Sequence, residues 1–187
     1  MTDRVLVAYG TKYGSTAEIA DAIAARLRDA GLDVDLRRGR EVRSLDPYRA
    51  VVLGSAVYMA RWRPEALRVL RRQRRALGQR EVWLFSSGPV GEQADEAGER
   101  AERWTKPKAV RRLADEVGAR DHAVFGGRVR EDAGGFMYRS MARNTPPELR
   151  DRRDWEAIAA WAQGIAATLA QGAPDAGGPG QGGAGAG

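Results

Sequence analysis

Apolar positions along this chain recur with two different periods, and the two periods take turns. Val5-Leu-Val-Ala8 is a short continuous apolar run ending at Tyr9 and Gly10. Ile19, Ile23 and Leu27 then repeat every four residues, the core stripe of a helix predicted from Ser15 to Ala30 and closed by Gly31. Asp33-Val-Asp-Leu36 alternates as an edge strand does, and Leu45-Asp-Pro-Tyr48 reads as a turn. Ala50-Val-Val-Leu-Gly54 is continuous again, as expected of a central parallel strand covered on both faces. Pro64 marks the first turn of a second helix, with Leu67, Leu70 and Leu77 on one side. Glu81-Val-Trp-Leu-Phe85 is a fourth strand, Gly91 to Thr105 a long mobile loop, and Lys106 to Val117 a third helix. His122-Ala-Val-Phe125 reads as a fifth, buried strand, and Asp154 as the N-cap of a last helix carrying Trp155, Ile158, Trp161, Ala162 and Ile165. Strands and helices alternating through five strands predict an α/β domain with a parallel sheet and right-handed crossovers.

Composition trims this picture at one end. The last sixteen residues, Gly172 to Gly187, carry no large apolar side chain and one charge, Asp175, so they are expected to be a disordered tail on a folded domain of residues 1–171. Asp3 and Arg4 precede an apolar run far shorter than a secretory core, and Trp155 to Ala170 contains Glu156 and Gln163, so a cytoplasmic protein is expected. Cysteine is absent and His122 is the single histidine, expected to be a structural residue rather than a ligand. Thiolate catalysis, disulfides, zinc hydrolysis and a Ser-His-Asp arrangement therefore have little material, and no metal site or catalytic side chain stands out. Redox chemistry would require a bound organic cofactor.

The net charge of +6 is uneven: residues 61 to 80 hold eight arginines against one acid, Glu65. Arg71, Arg72, Arg74 and Arg75 fall on what reads as one short helix and suit a peripheral contact with an anionic membrane or an acidic partner. Since 28 of 31 basic residues are arginine, a general compositional bias accounts for the cluster equally well. Nucleic acid is not an expected partner.

Chemistry concentrates after the first strand, in Thr11-Lys-Tyr-Gly-Ser-Thr16. Strand, small loop, then helix is the order that aims backbone N–H groups and a helix N-terminus at one anion. Ser15-Thr-Ala-Glu18 fits a capping box. The hydroxyls of Thr11, Ser15 and Thr16 suit phosphate oxygens, and Gly14 lets the backbone come close. Gly10 and Gly14 have three residues between them rather than the four a Walker A loop needs, and Lys12 occupies a position that a dinucleotide fingerprint gives to glycine.

The surviving pattern, Thr-x-Tyr-Gly-x-Thr, resembles the FMN-phosphate loop of flavodoxins, with Tyr13 standing where they usually carry Thr or Ser. The resemblance extends over residues 4 to 170 and implies a flavodoxin-like three-layer sandwich around a five-stranded parallel sheet of order 2-1-3-4-5. In that order the ligand crevice lies at the loops after strands one, three and four. In the second loop, Tyr58 is the first candidate to stack on the flavin ring, with Met59 and Trp62 next and Ser55, Ala56 and Val57 beside them. In the third, Ser87, Gly88, Pro89 and Val90 would meet the pyrimidine edge through main chain. Within the superfamily the chain is most similar to the menaquinone-dependent protoporphyrinogen IX dehydrogenase group, through Gly54-Ser-Ala-Val-Tyr58, Trp83-Leu-Phe-Ser-Ser-Gly-Pro89, Phe125-Gly-Gly-Arg128 and Arg153-Asp-Trp-Glu-Ala-Ile158. That resemblance implies non-covalent FMN, a small-molecule or quinone redox partner, and an extra element at Asp132 to Asn144 that either covers a flat substrate or simply connects. A flavodoxin-like electron carrier, or an FMN-less module binding partners through its arginine face, remains the alternative.

Overall fold

In the computed structural model the described residues are 4–88, 98–130 and 136–172. Strand β1 (Arg4–Gly10) leads through helix α1 (Ser15–Asp29) to β2 (Val34–Arg38). Then follow β3 (Tyr48–Tyr58), a two-residue β4 (Arg61–Trp62), α2 (Pro64–Arg72), α3 (Arg74–Leu77) and β5 (Glu81–Ser87). The rest is α4 (Glu99–Thr105), α5 (Lys108–Val117), β6 (Asp121–Phe125), α6 (Phe136–Asn144) and α7 (Trp155–Gln171). The parallel strands lie in the order β2-β1-β3-β5-β6, which with the short β4 set aside is the expected 2-1-3-4-5.

Period two in the strands sorts the core into two layers. Val5, Val7, Val52 and Phe85 meet Ile19, Ile23 and Leu27 of α1 and Ile158 and Ile165 of α7. Their neighbours Leu6, Val51, Leu53 and Leu84 face the other way, onto Val69 and Leu70 of α2, Leu77 of α3 and Val110, Leu113 and Val117 of α5. In adjacent strands Gly54 is paired with Phe85, and a Cβ at 54 would lie 1.9 Å from Cζ of that ring.

Asp154 caps α7 as expected, accepting from the Ala157 N–H at 2.9 Å. Four expectations change. The third strand does not stop at Gly54 but runs on to Tyr58 and turns back antiparallel into β4. The arginine helix is two helices, because Gln73 leaves helical geometry (φ −96°, ψ 11°) and its amide donates to the Arg43 carbonyl at 2.9 Å. The predicted loop from Gly91 to Thr105 contains α4 over its last seven residues. The fifth strand is a partly exposed edge strand in which Phe125 alone is buried. Residues 91–97 of that loop, 132–135 of the extra element and 173–187 of the tail lie outside the described residues. Among the described residues no helix is long and apolar enough to cross a membrane.

Candidate functional site

The carboxyl ends of the parallel strands open into a small crevice. Thr11, Tyr13, Ser15 and Thr16 line it from the first loop, Ala56, Val57 and Tyr58 from the end of β3, and Ser87 and Gly88 from the end of β5. Gly127, Arg128 and Val129, just past β6, complete the wall.

The first loop is fixed by its own hydrogen bonds. Gly14 adopts a left-handed conformation (φ 93°) as the N-cap of α1, with no side-chain cap. The anticipated capping box is therefore absent, because Ser15 already belongs to the helix and its hydroxyl is engaged elsewhere. Its Oγ accepts from the Arg128 N–H at 3.1 Å, and Thr11 Oγ1 accepts from the Gly14 N–H at 3.1 Å. A hydroxyl that has accepted one bond still holds its own proton. Thr11 and Ser15 thus keep O–H groups for a further acceptor, beside the N-terminus of a fifteen-residue helix.

Behind this loop sits an ionic network. The Arg153 side chain, 3% exposed, hydrogen-bonds Glu18 and meets Asp151 Oδ2 at 2.6 Å, while Arg128 lies 3.6 Å from Glu18 and 3.8 Å from Asp151. The hydrogen bond from Arg153 is the main reason that the Asp151 carboxyl is held below its ordinary range. The stretch carrying Arg128 is pinned by main chain: Val129 N–H donates to the Arg150 carbonyl at 2.7 Å and Arg152 N–H to that of Gly127 at 2.9 Å. Close packing here requires glycine, since a Cβ on Gly126 would lie 1.8 Å from the Arg152 carbonyl oxygen.

The opposite rim is the β3–β4 hairpin. Val57 pairs with Trp62 and Tyr58 with Arg61, so Met59 and Ala60 form a two-residue turn with φ of 48° and 54°. Positive φ at both centres is what a type I′ turn needs, and neither residue is the Asn or Gly that usually supplies it. Under the turn, Trp62 Nε1 donates to Ser86 Oγ at 2.9 Å, and Ser86 Oγ lies 2.9 Å from His122 Nε2. Ser86 thus bridges the indole of Trp62 and the imidazole of His122. Burial first, then the nearby Lys106, pushes the His122 pKa down to about 4, so the ring is neutral at pH 7.

The model of the family described as a flavodoxin domain matches residues 6–151. The chain belongs to the flavodoxin-domain family. Solved structures that share this flavodoxin fold include rubredoxin oxygen:oxidoreductase from Desulfovibrio gigas, at 17% identity and a TM-score of 0.59. That match covers 91% of this chain but 37% of the other, so this flavodoxin-domain chain spans little more than a third of that protein. A flavodoxin from Streptococcus pneumoniae TIGR4 aligns at 18% identity and a TM-score of 0.57, covering 88% of this chain and 99% of its own. A cysteine-to-serine variant of a Pseudomonas aeruginosa flavodoxin aligns at 16% and 0.59, covering 89% and 99%. No curated protein sequence matches.

Against this flavodoxin framework the site residues expected from sequence divide. Thr11, Tyr13, Ser15, Thr16, Ala56, Val57, Tyr58, Ser87 and Gly88 converge on the crevice. Lys12 and Gly14 shape the loop without lining it, Lys12 Nζ lying 5.0 Å from the Tyr13 ring centroid. Ser55 is fully buried, its Oγ accepting from the Arg63 N–H at 2.8 Å and donating to the Ala56 carbonyl at 2.9 Å, so it braces the hairpin. Met59 is 84% exposed at the turn and does not line the crevice. Trp62 is core, edge-on to His122 at 5.7 Å, which removes it as a stacking candidate. Pro89 and Val90 lie outside the described residues. Sequence reasoning missed Gly127 to Val129 as lining. The Gly126-Gly127 pair after a strand was the available signal, and it served only as a mark of family likeness. Among the described residues no group of acids and histidine is placed to hold a metal.

Proposed function

We propose that this chain is an FMN-dependent oxidoreductase of the flavodoxin superfamily, of the protoporphyrinogen IX dehydrogenase type with a quinone acceptor. The observation that carries the flavin assignment is the pair of hydroxyls, Thr11 and Ser15, each already accepting a backbone bond and so left as donors beside the start of α1. That donor set suits a phosphate. Thr11, Ser15, Thr16 and the N–H groups of loop 11–16 would hold it, with Lys12 and Gly14 fixing the loop. Tyr13 and Tyr58, edge to face with centroids 6.0 Å apart, supply the aromatic wall for a flat ring. Ser87 and Gly88 offer main chain to its edge, and a side chain at 88 would press on the hairpin, since its Cβ would lie 3.2 Å from that of Val57. When bound, FMN supplies the hydride and electron chemistry; the chain binds it, orients it and shields one face.

The dehydrogenase assignment rests on the four sequence segments shared with that group, three of which, ending at Tyr58, at Pro89 and at Arg128, carry residues of the crevice wall. A visible spectrum of the purified protein, with the released flavin identified, tests the cofactor. A colourless protein that takes up no FMN would leave the partner-binding module. Reduction of a quinone dependent on protoporphyrinogen separates the enzyme from a carrier, which would pass electrons to proteins without that turnover.

Membrane contact through Arg71, Arg72, Arg74 and Arg75 is part of the proposal. All four are exposed, although Arg74 is shared with Glu116 at 2.9 Å. The intervening Gln73 bonds Arg43, before β3, and Arg80 Nε bonds the Tyr48 carbonyl at the start of β3. The cluster thus sits at the amino ends of the strands, opposite the crevice, and docking there turns the crevice away from lipid. Binding to acidic vesicles should fade as salt rises and vanish when all four become Gln. Salt-independent binding, or none at low salt, would reduce the cluster to a solvated face.

A further inference from the structure

Arg128 is the one charged side chain among the described residues that line the crevice. Its surroundings make it unlike its neighbour Arg153. Arg153 is buried and hydrogen-bonded to both local carboxylates, with the Asp151 contacts at 2.6 and 2.8 Å. Arg128 is 40% exposed and stands 3.6 and 3.8 Å from the same two acids, beyond hydrogen-bonding distance. One arginine therefore serves the carboxylates at close range, and the second is held near them by longer pairs.

Its backbone is fixed on both sides. The flanking residues pair with 150–152, and its own N–H bonds the hydroxyl of Ser15, the first residue of α1. The guanidinium is thus tethered within one side chain's reach of the Thr11, Ser15 and Thr16 hydroxyls. Among the described residues no carboxylate lines the crevice to oppose an incoming anion.

We propose that Arg128 is a binding residue for the terminal phosphate of the crevice ligand, forming a charge-assisted clamp on that group. The clamp makes the site select a phosphorylated flavin over the unphosphorylated one. It rests on the flavin reading above. Arg153 stays hydrogen-bonded to both Glu18 and Asp151 throughout.

The test measures FMN and riboflavin affinity for the wild type, Arg128→Gln and Arg128→Lys, with thermal melts as a control on folding. A charge-assisted bond of this kind is worth about ten- to hundredfold in affinity. Arg128→Gln should lose that factor for FMN, hold riboflavin within about twofold, and show a weaker dependence of FMN binding on salt. Arg128→Lys should recover part of the loss. Equal weakening of both flavins would assign Arg128 to the scaffold and overturn the clamp, as would unchanged FMN affinity. A wild type that binds riboflavin and FMN alike also overturns it, while one that binds neither overturns the flavin reading itself.

Discussion

At its first-loop end the crevice is held by charge and main chain, whereas at its rim it is held by a neutral hydrogen-bond chain beneath a turn in an unfavourable conformation. Glu18, Asp151 and Arg153 lock the first end, and residues 126–129 are pinned against 150–152. The rim depends on Trp62, Ser86 and a histidine that must stay uncharged, with Met59 and Ala60 left-handed above them. The first end is built to receive a fixed charge with little rearrangement. The rim stores backbone strain at a place where a ring or a partner would arrive, and such strain clusters where function needs a second conformation.

The largest way to break the first end is to add charge to it. Gly14→Asp combined with Thr16→Val places a carboxylate beside a doubly charged phosphate, a repulsion of about 4 kcal/mol at partly screened contact distance. FMN affinity should fall roughly a thousandfold by fluorescence titration, and unchanged affinity would move the phosphate elsewhere. Gly126→Ala attacks the scaffold behind that end, forcing a methyl into the Arg152 carbonyl. The expected cost is about 3 kcal/mol in urea unfolding, and a neutral result would mean that the 126–129 strap is not tightly packed.

Acid should separate the two ends. A folded pKa of about 4 for His122, against an ordinary 6.5, means that the unfolded chain binds the extra proton first. Stability from this group is present above pH 6.5 and is lost as pH falls from there toward 4, by about 2 kcal/mol between pH 6.5 and 5. Asp151 is likewise held below its ordinary range, but as a carboxylate it stays ionised through that window and its contribution is lost only at lower pH. The rim should therefore loosen while the ionic end persists. Urea midpoints at the two pH values should fall less in His122→Gln than in the wild type, and equal falls would remove the histidine from the account. The smallest effect concerns the turn. Met59→Asn with Ala60→Gly supplies residues that accept positive φ, and should raise stability by about 1 kcal/mol. A loss of stability there would show that Met59 is held by contacts worth more than its strain.

These contrasts also explain what the chain revealed in advance. The sheet order was legible because each central strand is a continuous apolar run and helices such as α1 carry an apolar stripe, two signals that do not imitate one another. The first loop was legible because its chemistry is contiguous in sequence. The hairpin was not: Met59-Ala60 carries none of the turn residues that normally announce two positive φ values, so Ser55 to Tyr58 read as loop although they continue β3. The capping box failed for a related reason, since the partner of Ser15 is a backbone N–H 113 positions away that no local pattern encodes. The break at Gln73 is set by a carbonyl thirty residues earlier, again out of reach of periodicity.

Gly54 and Phe85 bear on how such a chain can drift. The ring fills the space that any side chain at 54 would need, in the fully buried centre of the sheet. Enlarging position 54 first produces a collision that the strand pairing cannot relieve. Shrinking position 85 first leaves a cavity, which costs stability but still folds if the rest of the core has a margin. Lineages can therefore cross between the two solutions in one order and not the other, and the direction of that one-way passage is written into a single pair of adjacent strands.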